Sequence, residues 1–100
     1  MKDLIIVGAS GFGREVLQWV KDFNKLNNCW NIKGFIDDNG QALDGYECDY
    51  TVICSIKDYV PQPNDYFAIA IALPKVKKIV VEILKSREAK FATIIHPTAI

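Results

Sequence analysis

Apolar positions along the chain fall into short dense runs separated by stretches of helical periodicity. Leu4-Ile5-Ile6-Val7 is an unbroken apolar run and predicts a strand buried on both faces. Phe12, Val16, Val20 and Phe23, with Leu17 and Trp19 beside them, then recur at helical spacing to about residue 26. Arg14, Glu15, Lys21, Asp22 and Lys25 take much of the remaining helix surface, and Asn24, Asn27 and Asn28, poor helix formers, mark the exit. Ile32 to Asp38 predicts a second strand with its acids at the C-terminal end. The pattern is least regular from 41 to 65. There Asp44-Gly45 signals a turn, Thr51 to Cys54 predicts a short strand, and Ser55 is placed to cap a brief helix over Ile56 to Tyr59 before Pro61 and Pro63. Phe67 to Ala72 predicts another buried strand, whose alanines let a helix pack close. Pro74 stands where a first helical turn favours proline, and Val76, Ile79, Val80, Ile83 and Leu84 complete an i, i+3, i+4, i+7, i+8 stripe. Lys75, Lys77, Lys78, Glu82 and Lys85 lie off that stripe. Phe91 to Ile95 predicts a last strand, broken at His96-Pro97.

Strand, helix, strand followed by strand, helix, strand is the order of an α/β protein: an open, mainly parallel Rossmann-like sheet with flanking helices and right-handed crossovers. The first strand runs into Gly8, Gly11 and Gly13, spaced G-x-x-G-x-G, and then directly into the first helix. Such a turn gathers unpaired backbone N–H groups at the positive end of a helix dipole, which favours an anion such as phosphate. The spacing is neither the G-x-G-x-x-G of dinucleotide sites nor a P-loop. In the bland alternative, the glycines only let the helix pack close to the strand. Asp37 stands where nucleotide folds place the acid that binds a ribose hydroxyl. Equally, Asp37, Asp38, Asn39 and Gly40 are all turn formers, and the two readings are compatible.

One hundred residues make a single domain, and 12 acidic against 12 basic residues leave no electrostatic case for nucleic acid or an anionic membrane. No apolar stretch approaches the ~20 residues of a membrane span, and the N-terminus lacks the features of a signal peptide. Cys29, Cys48 and Cys54 form no C-x-x-C pair and, with His96 alone beside them, no metal site is expected. Reduced thiols in a cytoplasmic protein are the plain reading. Lys75 and Lys77, nearest the end of the Phe67 to Ala72 strand, are the lysines placed for ligand contact. His96, before a proline, reads as a capping or packing residue. Pro97-Thr98-Ala99-Ile100 continues apolar beyond the last strand, which suggests a truncation or a domain boundary.

Four segments together resemble the N-terminal domain of the sialic acid O-acetyltransferase and sugar acyltransferase family of bacterial NeuD- and PglD-like proteins. They are Gly8-Ala9-Ser10-Gly11-Phe12-Gly13-Arg14-Glu15-Val16, Phe35-Ile36-Asp37-Asp38, Ala70-Ile71-Ala72-Leu73-Pro74-Lys75 and Phe91-Ala92-Thr93-Ile94-Ile95-His96-Pro97-Thr98-Ala99. The resemblance implies a Rossmann-like domain over residues 1–96 that holds a sugar or nucleotide-sugar acceptor, such as sialic acid or a UDP-amino sugar. It implies that 97–100 begin a left-handed β-helix of hexapeptide repeats. That second domain would form a homotrimer, bind acetyl-CoA and carry the catalytic histidine, so no catalytic residue and no cofactor are expected within these residues. Carried over by position, Gly8, Ser10, Gly11, Phe12 and Gly13 would face the substrate's phosphates or sugar. Asp37 and Asp38 would face the nucleoside, the end of the Ala70 to Ala72 strand would form the remaining wall, and Leu73 and Lys77 would stand beside it as further substrate-binding positions. Leu73 stands where relatives often carry a polar residue or glycine, and Lys77 where arginine is common. Two other readings stay open: a small NAD- or CoA-binding module, and a domain kept only for packing, without a ligand.

Overall fold

The structure, a computed structural model, describes residues 1–27 and 29–94. The expectations placed on Asn28, Ile95, His96 and residues 97–100 lie outside the described residues. The elements run β1 (Lys2–Val7), α1 (Gly11–Leu26), β2 (Trp30–Ile36), β3 (Val52–Cys54), β4 (Asp65–Ile69), α2 (Pro74–Ser86) and β5 (Lys90–Phe91). All four strand pairings are parallel, and the sheet order is β3-β2-β1-β4-β5, so the direction of winding reverses at the β1–β4 junction. This is the open α/β sheet with flanking helices that the sequence predicts.

Alternation along β1 builds two cores. Leu4 and Ile6 point to one face, where Val16, Leu17 and Val20 of α1 bury against them together with Phe35 and Ala68. Ile5 and Val7 point to the other, where Val80 and Leu84 of α2 meet them with Ile36 and Phe67. The two helices therefore cover opposite faces. Each fully buried aliphatic side chain contributes roughly 1.5–3 kcal/mol, so β1, buried on both sides, is the axis of the domain.

Several boundaries differ from the sequence pattern. The strand expected over 67–72 is β4, which starts two residues earlier and ends three residues earlier, because Ala70 makes its last sheet bond by donating to Val7 O (2.8 Å) and the chain then turns away. β2 begins at Trp30 and stops at Ile36, since Asp37 and Asp38 are used in turns. β5 is only Lys90–Phe91, with Ala92 to Ile94 outside the strand. The segment 56–58 is a single turn and not a helix. Ser55 does act as its cap, accepting Asp58 N–H on Oγ (3.2 Å), but one turn before two prolines has no room to propagate. The α2 stripe is only half buried. Val80 and Leu84 are enclosed, whereas Val76 and Ile79 at its N-terminal end are exposed.

Lys33 is an extra residue in β2: the pairing with β1 slips between Leu4 and Ile5, and Gly34 takes φ +141°. A Cβ on Gly34 would stand 2.8 Å from Thr51 O, so this bulge requires glycine. The bulge sends the Lys33 ammonium to the buried Asp65 carboxylate (2.7 Å), which also accepts from Tyr59 Oη (2.7 Å) and Gln62 N–H (2.8 Å). Burial pushes the Asp65 carboxyl up. The Lys33 ammonium, the Tyr59 hydroxyl and the Gln62 amide outweigh it and hold the group below the usual carboxylate range. Lys33 is raised in turn by its bond to Asp65. Burial, helped by the neighbouring carboxylate, pushes Tyr59 up to about 12.

Candidate functional site

The C-terminal ends of β1, β2 and β4 open into a cleft of about 370 Å³. It lies beside the point where the strand order reverses, which is where open α/β sheets take their ligands. Gly8, Ser10, Asp37, Asp38 and Leu73 line it, so five of the nine residues expected at the site come together. The other four lie elsewhere. Gly11 opens α1 beside the cleft. Phe12 packs against the α1-face core and meets Trp19 edge-on at 6.3 Å. Gly13 is buried, and Lys77 is exposed in the first turns of α2, where its N–H bonds Leu73 O (2.9 Å).

The three glycines do different work. Gly8 takes φ +102°, and a Cβ there would stand 2.7 Å from Ala70 O, so glycine lets the β1 turn pass the end of β4. Gly13 seats the start of α1 on that turn, since a Cβ would lie 1.9 Å from Gly8 O. Gly11 has open space around it, its nearest neighbour being the Arg14 guanidinium at 3.7 Å. Ser10 is the N-cap residue but makes no side-chain cap, and no acidic residue stands in the first turn. The first-turn amides of α1 are therefore left without a carboxylate, at the positive end of the helix.

Two aspartates fix the shape of the cleft. Asp37 accepts Ala9 N–H on Oδ2 (2.8 Å) and Asn39 N–H on Oδ1 (2.8 Å), tying the glycine turn to the end of β2. Asp38 accepts Ile56 N–H on Oδ1 (3.0 Å) and draws the turn after β3 against the site. Both turn-forming and cleft-lining descriptions thus hold for these residues. Arg87, just past α2, donates from Nη1 to Ile56 O and Tyr59 O, both at 3.0 Å, and holds the same turn from the far side.

Ala70, Ile71 and Ala72, expected as the remaining wall, do line the cleft, whereas Ile56, Val76 and Val80, which complete its apolar side, were not singled out. Val76 and Val80 carried a signal, but it read as core. Ile56 is held at the cleft by packing in the α2-face core and by the Asp38 and Arg87 bonds, which no local pattern announces.

A larger hollow of about 690 Å³ lies at the opposite end of the sheet, among Val20, Phe23, Cys29, Trp30 and Ile94. Its cation Lys2 lies over the Tyr66 ring at 4.8 Å. The smaller cleft, at the C-terminal ends of the strands beside the order reversal, holds the position that open α/β sheets use for ligands. Among the described residues no three His, Cys, Asp or Glu side chains gather as metal ligands do, and no helix is long and apolar enough to cross a membrane.

Comparison with known families matches residues 3–84, more than four-fifths of the chain, to the model of the PglD N-terminal domain. No curated protein matches the chain.

Proposed function

From the membership of this chain in the PglD N-terminal domain family, which is that of sugar acetyltransferases, we propose that it is the domain that binds the acceptor sugar. The acceptor is sialic acid or a UDP-amino sugar, and the parent protein acetylates it at oxygen or nitrogen for surface-glycan synthesis in the cytoplasm. Acetyl-CoA and the catalytic histidine belong to the following hexapeptide-repeat domain, which assembles the parent as a homotrimer. The role of the present residues is to hold and orient the acceptor, which brings its nucleophile close to the thioester and lowers the entropy loss of the transfer step.

The observation that carries this reading is the convergence of Gly8, Ser10, Asp37 and Asp38 on one cleft beside the uncapped start of α1. Backbone amides there suit a phosphate or carboxylate, the two carboxylates suit sugar hydroxyls, and the apolar wall suits a flat ring. Titration of the isotope-labelled chain with UDP, CMP, NAD and CoA tests it. The expected result is saturable amide shifts at Gly11 and Asp37 with a pyrimidine nucleotide. Shifts with NAD or CoA alone support a dinucleotide- or CoA-binding module instead, and silence with all four and with N-acetylneuraminate leaves a packing domain. On this chain alone, acetyl-CoA turnover above buffer would overturn the assignment of catalysis to another domain.

A further inference from the structure

We infer that Arg14 recognises the anionic group of the acceptor, a phosphate or a carboxylate, and that Tyr46 holds it in position to do so; this rests on the acceptor-binding reading above. Arg14 lies in the opening turns of α1, and helical side chains lean toward the N-terminus of their helix. Its guanidinium accordingly lies beside Gly11, 3.7 Å from where a Cβ would be, and Gly11 directly follows Ser10, which lines the cleft. There it covers the Tyr46 ring, with the guanidinium carbon 3.7 Å from the ring centroid.

The stacking geometry is what makes this cation useful. A guanidinium lying on a ring engages its flat face, while all five N–H donors point outward in its own plane. Among the described residues Arg14 has no salt bridge, and none of the side-chain hydrogen bonds uses its donors. Arg87 shows the contrast, since its donors are taken by three backbone carbonyls of the 56–59 turn. Arg14 is half-buried and tethered, and its charge has no carboxylate to answer it. A planar fork of this kind matches two oxygens of a phosphate or carboxylate. Tyr46 comes from the loop between β2 and β3, so this loop, which otherwise has no chemistry, gains a part in positioning the arginine.

The test compares wild type, Arg14→Gln, Arg14→Lys and Tyr46→Ala in titrations with UDP, uridine and N-acetylneuraminate, each followed by amide shifts. Urea unfolding of every variant controls for folding. For the anionic ligand that binds wild type, Arg14→Gln is expected to weaken affinity about 10- to 100-fold, the worth of a charge-assisted pair. Arg14→Lys should recover part of the loss, because it keeps the charge and lacks the fork, and Tyr46→Ala should lose affinity without losing the charge. Uridine affinity should not change in any variant. A loss confined to UDP identifies phosphate as the partner, and one confined to N-acetylneuraminate identifies the carboxylate. If neither UDP nor N-acetylneuraminate loses affinity in Arg14→Gln, or uridine weakens equally, the inference is wrong while the acceptor-binding reading stands. If wild type binds none of the three, both fall.

Discussion

Replacing Lys33 with methionine removes one partner from a carboxylate that has no access to water. The Asp65 side chain is 0% exposed, and it keeps the Tyr59 and Gln62 donors when the ammonium is gone. Stripping a partner from a buried ion pair costs about 3–5 kcal/mol. Lys33 itself is 29% exposed, so solvent screens part of that interaction, and the methionine regains some apolar burial. Removal also leaves Asp3, whose carboxylate lies 3.8 Å from the Lys33 ammonium, without that cation. The net expectation is a loss of about 2–3 kcal/mol at pH 7, a large part of a stability of roughly 5–15 kcal/mol. The pH dependence supplies the decisive check. In wild type Asp65 is held below the usual carboxylate range, so its contribution is present above that range and is lost as pH falls through its folded value. In Lys33→Met burial is no longer outweighed by the ammonium and the carboxyl moves up, so protonation relieves the variant before it affects wild type. The gap between the two proteins should therefore shrink from pH 7 to pH 4 in urea unfolding followed by tryptophan fluorescence. A gap below about 1 kcal/mol at neutral pH, or one that stays constant across that range, would refute the reasoning.

Two glycines of one turn give opposite expectations. Gly13→Ala should destabilise by about 3 kcal/mol or prevent folding, because its Cβ meets the Gly8 carbonyl oxygen, whereas Gly11→Ala should gain up to about 1 kcal/mol from helix propensity. Urea midpoints of the two variants check this, and equal effects would contradict the assigned roles. Tyr59→Phe should flatten the alkaline limb. The folded-state tyrosine is pushed up to about 12, so stability tied to it is present below the ordinary value near 10 and is lost between there and about 12. Circular-dichroism melts at several pH values over that interval should show wild type losing stability more steeply than the variant.

The order of elements was legible because each long element has one period. Leu4 to Val7 could only be a doubly buried strand, and Val16, Leu17 and Val20 could only face a core on one side of a helix. Boundaries were less legible where a backbone bond outside the element decides them. Ala70 and Ile71 have strand composition, yet Ala70 N–H is the last to join β1 and the next residues line the cleft instead. Val76 and Ile79 have the right spacing for burial, but the sheet beneath the start of α2 has ended. Within the site, the glycine turn and the acids after β2 were readable as residue types in a known order. The Lys33 bulge, the Asp38 link to Ile56 and the Arg14–Tyr46 stack join residues far apart in sequence, and nothing local marks them.

On the proposed acceptor-binding reading, Asp37 would meet an incoming hydroxyl as a group whose direction is already settled. Its two oxygens are oriented by Ala9 and Asn39 amides that fold with the domain, so a visiting sugar need not freeze a swinging side chain. The same anchoring has a second effect: whatever tugs on this carboxylate also tugs on the glycine turn, so on that reading the two ends of a bound acceptor would be coupled through one hydrogen bond.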